Sequence, residues 1–137
     1  MGIDINCTSC NFQGKQCFSS RRELLDALRK YLVAHRQTHR VELDYVNWIY
    51  REEEEDEHRL EYISEEKKIE ARKLLREKEL EGLFFYISLE EEDHISYFHA
   101  IDFAKAYVKI RPYLNKDITD LYVLRHAVSK KHNLECW

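Results

Sequence analysis

Three glycines and one proline are scattered through 137 residues, so no Gly/Ser-rich or Pro-rich stretch is present on which a second domain would hinge. The expectation is a single domain over residues 1–137. A chain of this length buries roughly two-thirds of the surface its unfolded form exposes. Hydrophobic residues at 44%, with nine Tyr and six Phe, supply a self-sufficient core. That balance is the opposite of the low-hydrophobicity composition that keeps a chain disordered.

The hydrophobic spacing predicts a helix-rich α+β fold. Ile3 and Ile5 alternate with Asp4 and Asn6, the period of a strand with one buried face. Phe12, Gly14 and Cys17 suggest a turn and a short second strand. Ser20 with Glu23 reads as a capping box, opening a helix to about Arg36 whose core side carries Leu24, Leu28, Tyr31 and His35. From Val41 to Ile63 the pattern reads as a helix running into an acidic loop. Ser64 caps the next helix, to about Leu80, with Glu65 and Glu66 at its positive end and an apolar stripe of Ile69, Leu74 and Leu75; Gly82 stops it.

The run Leu83-Phe84-Phe85-Tyr86-Ile87 suits a central strand paired with Gly2 to Asn6. Phe98, Ile101, Ala104, Val108 and Arg111 mark a helix ended by Pro112, and Asp117 with Asp120 starts the last helix, whose stripe is Ile118, Leu121, Leu124 and Val128. The expected architecture is four or five helices packed on a sheet of two or three strands, without internal repeats.

The formal charge of −4 is unevenly spread. Basic residues number seven against five acidic in 1–50, eight against seventeen in 51–93, and seven against four in 94–137. An acidic block thus lies between two mildly basic ends, an asymmetry that bears on solubility and partners rather than on fold. The first ten residues lack a basic segment followed by an apolar one, and no apolar run approaches the roughly 18 to 20 residues of a membrane span. Asn6 stands where a myristoylation signal beginning at Gly2 wants Ser or Thr. The expectation is a cytoplasmic protein without membrane contact, whose four cysteines are reduced thiols or metal ligands.

Metal chemistry is carried by Cys7-x2-Cys10 and His35-x3-His39. Two thiolates and two imidazoles at such spacings match tetrahedral structural zinc. Twenty-four residues separate Cys10 from His35, about twice the standard finger, but an extended segment of roughly 26 Å followed by a helix returning roughly 22 Å would bring the pairs together. Cys17 is an alternative to one His. Against zinc, the cysteines read equally as small buried hydrophobes and His35 as a core histidine; the sequence alone favours that plainer reading.

Two further constellations are weaker. Residues 88–99 align with a calcium loop, yet Asp93 occupies the position that requires Gly and His99 the position that requires a bidentate Glu. Arg22, Arg29, Arg36 and Arg40 recur at spacings of seven, seven and four, a basic stripe able to contact phosphate. A pI near 6.0 and the lack of a helix-turn-helix pattern argue against nucleic acid as a partner. No phosphate-cradling Gly loop, nucleophile elbow or His-Glu-x-x-His motif is present, so no enzymatic activity is expected.

Two stretches carry a family likeness: Met1-Gly2-Ile3-Asp4-Ile5-Asn6-Cys7, and Gly82-Leu83-Phe84-Phe85-Tyr86-Ile87 through Ser96 to Ile110-Arg111-Pro112-Tyr113-Leu114. About a third of the chain thereby resembles small uncharacterised proteins of large DNA viruses and some protists. The resemblance implies a setting, host cytoplasm or virion, and carries over no active site. In those relatives the turn after the second strand tends to hold Asp and Gly, and the Glu-rich version here departs from that pattern. The function expected is that of a non-enzymatic interaction or structural protein, a minor virion component, binding other proteins or itself and needing no cofactor. The alternative is a zinc-binding module that contacts nucleic acid.

Overall fold

A computed structural model describes residues 2–35, 39–53, 63–88, 93–115 and 122–136. Strand β1 (Gly2–Cys7) turns back into β2 (Gln13–Cys17), with Gly2 opposite Cys17 and Asn6 opposite Gln13. The alternation in β1 is borne out where side chains are described: Ile5 is buried and Asp4 exposed. The neighbour on the other side of β1 is β4 (Leu134–Cys136), with Ile5 opposite Cys136 and Cys7 opposite Leu134. A two-residue strand, β3 (His94–Ile95), completes an antiparallel sheet of order β2-β1-β4-β3.

Six α-helices among the described residues pack on this sheet, so the α+β, helix-rich class holds. Helix α1 (Phe18–Ala34) starts two residues before the expected Ser20 cap, directly from β2, and stops short of Arg36. Its Leu24, Leu25, Leu28 and Leu32 are fully buried, while Tyr31 is half-buried and His35 lies exposed just beyond the helix end. Helix α2 (Arg40–Glu53) brings Val46 into the same core and runs to the start of the acidic segment; residues 54–62, expected as an acidic loop, lie outside the described residues.

Helix α3 (Glu65–Glu77) begins as its sequence predicts: the Ser64 side chain accepts the Lys67 N–H, and Glu65 and Glu66 occupy the positive first turn. Ala71 and Leu75 are buried, but Ile69 is exposed. The helix ends before Gly82, in a left-handed turn at Glu79 (φ 58°). There the Leu80 N–H reaches back to the Leu75 carbonyl at 2.9 Å, the pattern that satisfies the last carbonyls of a helix.

The segment expected as a central strand is a short helix, α4 (Gly82–Ile87). Its Leu83, Phe84, Tyr86 and Ile87 are all buried, and a short continuous apolar run has no period that separates a buried strand from a buried helix. Gly82 opens α4 rather than stopping α3. A Cβ there would stand 2.4 Å from the Asp102 carbonyl carbon and oxygen, so glycine is what lets α4 lie against α5 (Tyr97–Ile110).

Helix α5 starts as a capped helix, with the Ser96 hydroxyl accepting the His99 N–H, and passes into a 3-10 turn over Arg111–Tyr113 that contains Pro112. Its buried face is Ala100, Phe103, Ala106 and Ile110, which leaves Phe98 and Val108 of the expected stripe exposed. Helix α6 (Tyr122–Lys130) buries Leu124 and Ala127; residues 116–121, with the expected Asp117 start, are outside the described set.

Candidate metal centre

The β1–β2 turn sets the first half of the site. Cys7 closes β1, and its N–H donates to the Phe12 carbonyl at 2.9 Å, so the residues between fold into a tight knuckle. That knuckle presents the buried Cys7 thiol and the exposed Cys10 thiol on one side. The second half comes from the far end of the chain. Helix α6 carries His126, and its C-terminus turns through Lys131 in the left-handed conformation (φ 57°). The His132 N–H bonds back to Ala127 at 3.1 Å, which swings the His132 ring to the same side as His126.

The four ligand atoms of Cys7, Cys10, His126 and His132 lie within 4.8 Å of one another. Cys7 Sγ stands 3.3 Å from His132 Nδ1, and Cys10 Sγ stands 3.2 Å from His126 Nε2. A tetrahedral zinc with Zn–S near 2.3 Å and Zn–N near 2.0 Å has sulfur–nitrogen edges of about 3.5 Å. The two cross pairs are therefore already close to the edges of such a tetrahedron. Two thiols and two imidazoles are also the donor set this geometry favours.

The surroundings hold the ligands in place. Phe12 stacks on the His126 ring at 4.1 Å with the planes 1° apart, and His126 meets His132 edge to face at 5.6 Å. The Thr8 N–H and hydroxyl both donate to the Asn133 carbonyl, at 3.1 and 3.0 Å. Asn133 in turn accepts the Tyr97 N–H on Oδ1 at 3.0 Å, so knuckle, α6 exit and α5 start are joined beside the site. The hydrogen bond with Cys7 pushes the Cys10 thiol above its ordinary value, a shift the Phe12 backbone opposes. A divalent metal bound here would displace the thiol protons, since thiolate is the form that ligates.

Cys7 and Cys10 are brought into a site, and His35 and His39 are not part of it. The His35 ring stacks on Tyr31 at 3.8 Å, with Nδ1 2.8 Å from the Tyr31 carbonyl. His39 lies one residue before α2, where its N–H donates to Glu42. The imagined return of α1 toward the knuckle does not occur, because α1 leaves β2 to pack on α2, α4 and α5. Cys17 sits at the opposite end of β2 from the knuckle. His126 and His132 went unread, although their His-x5-His spacing falls within the range of zinc-ligand pairs.

The four arginines do not share one helix. Arg22 and Arg29 are on α1, Arg40 opens α2, and Arg36 lies outside the described residues. Arg29 is engaged by Asp26 at 3.0 Å and by the Tyr50 ring at 3.9 Å, and Arg40 faces Asp44 at 3.9 Å. Of the calcium-like stretch, residues 89–92 are not described. Ser88 bonds back to Phe84, Ser96 caps α5, and His99 packs on Phe85 at 4.9 Å.

The fold and the site together define an α+β chain with a Cys2His2 tetrad joining its two ends. Comparison of the chain with protein-family models, with curated proteins and with solved structures returns no match. No described helix is long and apolar enough to cross a membrane.

Proposed function

We propose that the chain is a zinc-stapled, non-enzymatic interaction module, in which Cys7, Cys10, His126 and His132 hold one structural zinc ion. The observation that carries this reading is the convergence of four ligand atoms within 4.8 Å, from two segments that lie more than a hundred positions apart. Four protein ligands fill a tetrahedron and leave no open position for substrate, which is the mark of a structural rather than a catalytic zinc. The metal's work is mechanical: it pins α6 and β4 to the first hairpin. The likeness to small proteins of large DNA viruses supports a host-cell or virion setting for such a module. Contact with nucleic acid is not favoured, since Arg29 is already held by Asp26 and Tyr50.

The test is elemental analysis of protein purified without a metal-affinity tag, together with cobalt substitution. One metal per chain is expected, with cobalt giving the visible absorption of a tetrahedral S2N2 site that Cys10→Ser weakens and His35→Ala leaves untouched. Metal-free protein with no uptake of zinc or cobalt overturns the reading.

A further inference from the structure

The apolar stripe that runs along α5 in the sequence is not the face the fold covers. Ala100, Phe103, Ala106 and Ile110 are buried, whereas Phe98 is 67% and Val108 72% exposed. Helix α5 thus has two apolar faces, one of them uncovered. Of Phe98 and Val108, only Val108 borders the space between α5 and α6, and the residues that line that space from the α5 side, Ala100 to Arg111, span about 16 Å, three turns of helix. Beside this face, α5 and α6 enclose a cleft of about 350 Å³, with Ala104, Tyr107, Val108, Leu124 and Val128 in its walls. Its charged lining residues are Arg111 and Arg125, both exposed, and no carboxylate lines it among the described residues. Neither arginine has an ion-pair partner among the described residues, in contrast to Arg29, Arg40, Arg72 and Arg76.

We propose that the α5/α6 cleft is a docking groove for an acidic amphipathic helix of a partner protein, and that the metal centre holds its α6 wall in place. The first part follows from shape and charge. An uncovered apolar trough three turns long suits a helix with apolar residues at i, i+3, i+4 and i+7, and two unpaired arginines on its rim select carboxylates over ammonium groups. The second part rests on the zinc reading above. On α6, Leu124 and Val128 lie about 160° and 200° around the axis from His126, so the helix presents its ligand on one face and its groove wall on the other. Fixing His126 to the knuckle fixes Leu124 and Val128 opposite Val108.

The experiment is fluorescence anisotropy of the zinc-loaded full chain with a labelled 14-residue peptide, about four turns of helix. The peptide carries Leu at i, i+3, i+4 and i+7 and Glu elsewhere; a control has every Glu replaced by Lys. Micromolar binding of the Glu peptide and at least about tenfold weaker binding of the Lys peptide are expected. Val108→Glu, at an exposed position, lowers affinity about tenfold or more with zinc content and circular dichroism unchanged. Exchange of Arg111 and Arg125 for Glu reverses the preference. Chelation weakens binding of the Glu peptide by a similar factor. No binding, equal binding of both peptides, or indifference to Val108→Glu overturns the groove. Concentration-dependent self-association abolished by Val108→Glu overturns the partner assignment in favour of a second copy. If the chain takes up no zinc but binds the Glu peptide at a Val108-sensitive site, the groove stands, while the zinc reading and the metal's part in the groove both fall.

Discussion

Cys7 and His132 stand 125 positions apart in sequence, yet the Cys7 sulfur lies 3.3 Å from the His132 Nδ1. β1 pairs with β4 immediately alongside, Cys7 opposite Leu134, so the first and last strands meet where the thiols and imidazoles converge. A link at this point closes almost the whole chain into one loop. Long loops are where a cross-link removes most entropy from the unfolded state.

Zinc should therefore act as a staple on global stability. Removal by chelator is expected to lower stability by about 3–5 kcal/mol, the range of a cross-link over a loop of this size. Cys7→Ser and His132→Ala should each reproduce most of that loss. Denaturant midpoints with and without chelator measure it, and a double-mutant cycle should show the two losses to be strongly non-additive.

Cys136, on β4, should make the protein sensitive to alkali. Burial, with Asp93 adding to it, pushes its thiol up to about 11. The folded chain thus keeps a proton that the unfolded chain gives up near 9.0. Unfolding releases that proton, so stability is complete below about pH 9 and declines as pH rises toward 11. Cys136→Ala should flatten this slope in denaturation midpoints taken across the window, whatever its effect at neutral pH.

Gly82→Ala is expected to destabilise by about 2–4 kcal/mol. The added methyl would meet the Asp102 carbonyl at 2.4 Å, a backbone group that yields only if α4 and α5 move apart. Thermal unfolding measures the loss. A change below about 0.5 kcal/mol would mean that the two helices are not packed as described.

Glu42 is fully buried and ion-paired to Lys78, and it also accepts the His39 N–H. Lys78→Met leaves that carboxylate buried without its cation, which costs about 3–5 kcal/mol. The double change Glu42→Gln with Lys78→Met should recover most of it, because a neutral amide carries far less desolvation penalty. Chemical denaturation of the two variants decides the point.

Features set by neighbouring residues were legible from the start. The Ser64 cap with Glu65 and Glu66, the strand at Gly2–Cys7 and the buried Leu24 and Leu28 are each fixed by chemistry within a turn or two of chain. Half of the candidate site was readable for the same reason, since the Cys7-x2-Cys10 spacing is local. Elsewhere short-range pattern was ambiguous. Gly82–Ile87 is apolar throughout, so no period distinguishes helix from strand, and only packing against α5 makes it a helix. Along α5, two apolar stripes compete for the core, and the neighbours it meets decide that Phe103 goes in and Val108 stays out.

By itself, then, the amino-acid sequence determined the class of fold, the capped helices and the pair of thiols at the first turn, all of them products of interactions over a few residues. Which histidines face those thiols was decided only by tertiary structure. His35 and His126 look alike to any local rule. Pairing of the last strand with the first carries His126 and His132 to the knuckle, and the packing of α1 on its neighbouring helices leaves His35 outside the tetrad. No periodicity in a sequence encodes a contact between positions 7 and 132, because that contact is selected by the burial of the whole core rather than by the residues beside it.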